Sequence, residues 1–245
     1  MMSNSASAIA VIPARGGSKR IPRKNIRHFC GKPIIAWSID AAIRSHCFKR
    51  VVVSTDDPEI AEVAEEYGAE VPFVRPANLS DDYIGTIPVV AHAISWVKKH
   101  IQPVTDVCCV YATAPFVRPD DLRRGLDQMV EANSDYALSV TSFAFPIQRA
   151  VRVTRDHRLE MFYPHYFNVR SQDLEHAWHD AGQFCWGRAE AWLEERPIFA
   201  QGTVPITLPR IRVQDIDTLD DWHHAEMMFK FLSSLTREFG HARSE

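Results

Sequence analysis

Two sets of side chains in this sequence could do chemistry together. Between Ile12 and Asn25 the chain reads IPARGGSKRIPRKN, which arrays Arg15, Lys19, Arg20, Arg23 and Lys24 around Gly16, Gly17 and Ser18. Residues 213–217 read VQDID, and in an extended segment Asp215 and Asp217 project to one side. Cations around a turn attract a polyanion, phosphate first, and glycines let backbone amides approach a ligand that a Cβ would block. Two carboxylates on one face suit a hard cation, and Mg²⁺ is usually held by one or two carboxylates plus substrate phosphate. Each set also has a plainer reading. The first would equally be a solvated basic turn, and in the second Asp217 would cap the final helix, with Asp220 and Asp221 complementing its dipole.

The elements around these residues favour a ligand. The basic stretch follows an apolar run, 8–12, short enough for a buried strand, and open α/β sheets bind ligands outside the carboxyl ends of their strands. Neither a Walker loop nor a G-x-G-x-x-G fingerprint is present, so side-chain cations would do more of the holding than a glycine cradle. Downstream, Pro33 opens a helix with Ile35, Ile39, Ala42 and Ile43 on one face. The β-branched run 50–54 reads as a strand covered on both sides. Asp57-Pro58 caps a helix that Gly68 stops, 71–74 supplies a third strand, and 75–86 is a loop on the same rim as the basic stretch. A helix from Ile87, a strand over 106–111, a helix from Pro119 and a strand over 136–143 complete a doubly wound α/β pattern. Residues 144–180 then leave it, crowded with Phe162, Tyr163, Tyr166, Phe167 and Trp178, and fit a dimer contact or a local mini-core. The chain returns through strands at 184–187 and 204–208 and a last helix with Leu219, Trp222, Ala225, Phe229 and Leu232 inward.

A chain of 245 residues, 46% hydrophobic and 24% charged, supports one globular domain spanning 1–245. The net charge of −3 makes the basic stretch a local feature, so no nucleic-acid partner is expected. Cys30, Cys47, Cys108, Cys109 and Cys185 lie in no paired metal spacing and read as reduced. The amino-terminal MMSNSASA has neither a charged nor a sustained apolar leader region, and no run of 18 apolar residues occurs, so the expectation is a cytoplasmic protein with no membrane partner.

A basic loop and an acidic pair across a sheet form the layout of nucleotidyl transfer. The stretch Pro13 to Asn25 resembles the P-A-R-x-x-S-K-x-x-P-x-K-N signature of the acylneuraminate cytidylyltransferases, which activate nonulosonic acids with CTP. The likeness continues through VSTDD (53–57), RPANLSDD (75–82) and QDIDT (214–218). Within that family, 170–187 and FPIQRA (145–150) are most similar to the pseudaminic acid branch. Sialic acid enzymes typically carry L-Q-P-T-S-P-L-R after the fourth strand; here Ala112 is read in place of that glutamine.

The resemblance implies a Rossmann-like nucleotidyltransferase fold and transfer of CMP from CTP to a nonulosonic acid, with neuraminic or legionaminic acid as the alternative sugars and a non-catalytic nucleotide binder as the remote one. Arg15, Lys19 and Lys24 would hold the triphosphate beside Ser18, Gly16 and Gly17. Asn25 and Arg75 would bind the nucleotide, and Asp215 and Asp217 would hold Mg²⁺, with Asp215 a candidate to deprotonate the sugar. The same likeness implies a homodimer joined through 144–180, with Ala112, Gln148, Arg149, Arg170, His179 and Gln183 as sugar-site candidates.

Overall fold

Small and β-branched residues without a polar interruption make Ala8–Pro13 strand β1, fully buried through Ile12. In the computed structural model, which describes residues 7–241 and side chains through 235, β1 pairs in parallel with β2 (Arg50–Ser54) and with β3 (Asp106–Val110). The amino-terminal stretch read above for a leader lies almost wholly outside the described residues. Strands β4 (Tyr136–Ser142), β7 (Trp178–Arg188) and β8 (Thr203–Thr207) extend the sheet to the order β8-β4-β7-β3-β1-β2. Between them, β5 (Val151–Val153) and β6 (Leu159–Met161) form a separate hairpin.

Side-chain alternation along the strands sorts the interior into two layers. Ala8, Ala10, Ile12, Val51, Val53 and Cys108 face α1 (Ile34–Ser45), α2 (Pro58–Glu66) and α4 (Pro119–Glu131). Ile9, Val11, Val52, Val107, Cys109 and Cys185 face α3 (Thr86–His100) and the short α5 (Ala189–Leu193). A third, smaller core lies off the sheet. There Ile21, Phe29, Ile34, Phe116 and Ile216 meet Trp222 and Ala225 of α6 (Leu219–His241). All five cysteines are free, and among the described residues no helix is long and apolar enough to cross a membrane.

Several expectations change. The sheet is mixed, because β7 runs antiparallel to both β3 and β4. It also starts at Trp178, so the last three residues assigned to the excursion belong to the sheet. Residues 71–74 form no ladder: only Glu70 and Val74 bridge to β2 and the residue after it, since Pro72 lacks the amide a strand would offer. The segment 213–217 is irregular rather than a strand, following a 3₁₀ turn at Arg210–Arg212. Ile43 and Leu219, expected inward, are exposed at 42% and 45%. The mini-core reading of the excursion also fails within one chain: Phe145, Phe162, Phe167 and Leu159 all face solvent.

Candidate active site at the carboxyl rim of the sheet

Beyond β1 the chain is tied down before it turns. The Ala14 amide donates to the Ser54 carbonyl at 2.9 Å, the Gly16 amide to Asp56 Oδ1 at 3.1 Å, and Asn25 Nδ2 to the Arg15 carbonyl at 2.9 Å, closing the loop's two ends on each other. Asp57 organises the neighbouring side. It accepts the Glu59 and Ile60 amides as the amino-terminal cap of α2 and takes the Arg23 guanidinium at 2.5 and 3.0 Å. That pairing holds the Asp57 carboxyl below the usual carboxylate range and Arg23 above the usual arginine value. Arg23, in the left-handed region at φ 55°, is therefore a brace of the loop rather than a ligand group. A Cβ on Gly16 would lie 2.5 Å from Asp57 Oδ2, so a protein carboxylate is what requires glycine there.

Ile21, in the middle of the cationic run, is fully buried in the third core, which also holds Ile216 and Trp222. This shared core joins two stretches far apart in the sequence. With Ile21 and Ile216 both inside, their neighbours Arg20 and Asp217 meet at the surface with an ion pair of 2.8 Å, and Lys24 Nζ stands 3.5 Å from the same carboxylate. Asp217 does not cap α6. Thr218 and Asp221 do so reciprocally: Asp221 Oδ2 accepts from the Thr218 amide at 2.8 Å and the Asp217 amide at 3.1 Å, while Thr218 Oγ1 accepts from the Asp221 amide at 3.2 Å. The Asp217 side chain is left to face the loop.

Between the loop, Asp217 and the 75–86 segment opens a cavity of about 530 Å³. Of the residues assigned from sequence, Arg15, Ser18, Lys19, Lys24, Asn25, Arg75, Ala112 and Asp217 line it. Arg75 is 4% exposed; its Nη2 reaches Asp56 Oδ1 at 3.4 Å, and its buried Nε has no hydrogen-bond partner among the described residues. Burial lowers its pKa, the more so with Arg15 nearby. Asp56 thus links the Gly16 amide to the Arg75 guanidinium.

The remaining assigned residues lie elsewhere. Gly16 and Gly17 stand beside the cavity but off its wall, and the Gly16 amide is already engaged. Asp215 is exposed, also off the wall, close enough to Asp180 that its charge reinforces the upward shift that burial gives the Asp180 carboxyl. Gln183 is buried and donates to the Arg212 carbonyl. Gln148 holds the Glu175 carbonyl at 3.0 Å, Arg149 the Val169 carbonyl at 2.7 Å, and Arg170 pairs with Asp173 at 2.7 and 3.1 Å. The His179 ring meets Phe143 edge to face, with ring centroids 4.7 Å apart. None of these five lines the cavity.

Of the wall residues not assigned from sequence, Arg20, Asp82 and Tyr111 bear most on the chemistry. Arg20 was counted only as charge, Asp82 was noted only within a motif, and Tyr111 adjoins Ala112 on the wall, with burial raising its hydroxyl pKa. Aligning Thr113 and Pro115 with the threonine and second proline of the L-Q-P-T-S-P-L-R stretch puts Tyr111, not Ala112, at the glutamine position.

Among the described residues no group of three or more His, Cys, Asp or Glu side chains could hold a metal ion. Mg²⁺ needs fewer, since it keeps waters and takes substrate phosphate oxygens, and the Asp217 carboxylate facing a cation-lined cavity fits that mode.

Comparison with known proteins places the chain in a family. The model of the Cytidylyltransferase family matches residues 9–216. Pseudaminic acid cytidylyltransferase of Campylobacter jejuni subsp. jejuni serotype O:2 is 46% identical over 222 residues, covering 91% of this chain and 96% of the relative. CMP-N,N'-diacetyllegionaminic acid synthase of Legionella pneumophila subsp. pneumophila is 33% identical over 230 residues, with 91% and 96% covered. The solved structure of CMP:2-keto-3-deoxy-manno-octonic acid synthetase complexed with CTP superposes with a TM-score of 0.67 at 17% identity, over 91% of this chain and 98% of that one. That likeness shows the fold, which is the Rossmann-like nucleotidyltransferase fold expected above. By the extent of the family match and of the identity to its relatives, this chain belongs to the cytidylyltransferase family.

Proposed function

We propose that this protein transfers CMP from CTP to the anomeric hydroxyl of a nonulosonic acid, pseudaminic acid in the first place, releasing pyrophosphate. The observation that carries the reading is the pairing of Arg20 and Lys24 with Asp217 on one cavity wall, beside the core that Ile21 and Ile216 share. The sugar oxygen attacks the α-phosphorus, the bond from that phosphorus to the bridging oxygen breaks, and pyrophosphate leaves carrying the electron pair. Arg15, Lys19 and Lys24 meet the charge that develops on the phosphates. Asp215 is the candidate acceptor for the hydroxyl proton. Asp217 would hold Mg²⁺, which when bound neutralises phosphate charge. The 46% identity to a pseudaminic acid cytidylyltransferase supports the sugar.

The sugar-site candidates Gln148, Arg149 and Arg170 stand on an excursion whose aromatic residues face solvent, which supports a homodimer in which that segment reaches the second copy's cavity. Pyrophosphate release with CTP and Mg²⁺ across a panel of nonulosonic acids tests the reading. Release with pseudaminic acid is expected. Release only with neuraminic, legionaminic or an octulosonic acid overturns the sugar, and no release with any of them overturns the activity.

A further inference from the structure

The four loop cations that line the cavity are divided between two carboxylates. Asp217 takes Arg20 and Lys24, as described. Asp82, also on the cavity wall, takes the other two, one with each oxygen: Arg15 Nη1 lies 2.6 Å from Oδ1, and Lys19 Nζ lies 2.5 Å from Oδ2. Two oxygens on one atom, each accepting from a different cation, is also how a phosphate would meet this pair. Lys19 is 82% exposed along its side chain, and Asp82 is the ion-pair partner that fixes where its ammonium lies.

Asp82 is carried on a tip that is organised locally but not packed. Asp81 Oδ1 accepts the Tyr83 and Ile84 amides at 2.8 and 2.9 Å, an Asx turn that shapes the tip from within. Tyr83 is 95% exposed, and no residue from 80 to 85 is buried. Apart from the Arg15 and Lys19 pairs and one bond from Arg15 to the Asp81 carbonyl at 2.7 Å, the hydrogen bonds and ion pairs of this tip among the described residues are local. A tip with so little burial can withdraw at small cost.

We propose that Asp82 is an internal counter-anion that occupies the phosphate positions on Arg15 and Lys19 and exchanges with the polyphosphate of the nucleotide. This rests on the reading that the triphosphate lies on the basic loop. Two consequences follow from one contact. Held by Asp82, the long Arg15 and Lys19 side chains are already ordered, so an incoming polyphosphate finds them in place. The same carboxylate competes with that polyphosphate, so it weakens binding and returns to the cations as pyrophosphate departs. Asp82 is thereby a residue that sets affinity for both CTP and product.

Titration calorimetry with CTP, with inorganic pyrophosphate and with cytidine, on the wild-type protein and on Asp82→Asn, Asp82→Glu and Asp81→Asn, tests this. Asp82→Asn should bind CTP and pyrophosphate about three- to tenfold more tightly, the range expected for freeing two exposed ion pairs, and cytidine unchanged. Asp82→Glu keeps the charge and should stay near wild type. Asp81→Asn removes one negative charge from the same tip yet retains the turn, because asparagine also accepts the two amides, so it separates contact from general field. Weaker or unchanged polyphosphate binding in Asp82→Asn, or an equal gain in Asp81→Asn, overturns the proposal. A wild-type protein that binds neither CTP nor pyrophosphate overturns the nucleotide reading and this inference with it. Thermal melts should overlay, since Asp82 lies in an exposed tip; if Asp82→Asn does not fold, Asp82→Ser carries the same expectation.

Discussion

Lys24 and Asp217 are 193 positions apart in the chain and 3.5 Å apart in space, so each sets the other's charge environment. If Lys24 meets developing phosphoryl charge, Lys24→Ala loses on the order of 3 kcal/mol of transition-state stabilisation, a drop of more than about a hundredfold in kcat/KM. Steady-state kinetics beside an unchanged melting curve would show it. Full turnover in a folded variant would remove Lys24 from the site.

Asp57 acts on the same loop through structure. Its folded pKa is depressed, so its stabilising contribution is complete above the ordinary carboxylate value of about 4 and is lost as pH falls through the lower folded value. Asp57→Asn keeps a capping side chain for α2 but loses the charged pair with Arg23. It should cost about 1–2 kcal/mol at pH 7 and show a shallower loss of stability as pH falls below about 4. Thermal melts across that range decide it; parallel profiles would mean that Arg23 and Asp57 contribute nothing to folding. At this scale the sequence showed which cations could meet phosphate but could not sort them. Arg23 and Lys24 are adjacent, and only the fold turns one toward Asp57 and the other toward Asp217.

Elements were legible where a strong periodic signal stood alone. The uninterrupted apolar runs of β1, β2 and β3, and the Pro openings of α2 and α4, read correctly to within a residue or two. The direction of β7 did not, because a buried antiparallel strand between two neighbours carries the same apolar run as a parallel one. Its packing makes a prediction about α4. Gly125 faces β7, and a Cβ there would lie 2.7 Å from Trp186 Cδ1 and 3.0 Å from Phe184 Cε2. Trp186 cannot easily yield, since its Nε1 donates to the Leu122 carbonyl at 2.9 Å. Gly125→Ala gains about 1 kcal/mol of helix propensity but overpacks by about 1–3 kcal/mol. We expect a net loss, read as a melting temperature lower by about 2–6 °C; a rise would mean that the β7–α4 contact adjusts freely.

For the whole molecule, the exposed aromatic surface between β4 and β7 is where assembly can be tested. Phe145 and Phe167 are 82% and 71% exposed, and Leu159 is 73% exposed. Light scattering should report a dimer for the wild type, and the double change Phe162→Asp with Phe167→Asp should give a monomer that still binds CTP but turns over poorly. A wild-type monomer with full activity would return the excursion to a role within one chain. That this region left the α/β pattern was evident from its lost periodicity, whereas its exposure was not, because aromatics crowd mini-cores and interfaces alike.

The place of β7 has a further effect, on how the chain is made. As synthesis proceeds, β1, β2 and β3 can assemble early, yet β3 keeps one edge open and β4 both until residues 178–188 arrive to fill the gap between them. Until then two apolar strands expose unsatisfied amides and carbonyls to any neighbouring chain. The nascent protein is therefore at its most aggregation-prone after β4 has emerged, and the length of the excursion sets how long that interval lasts.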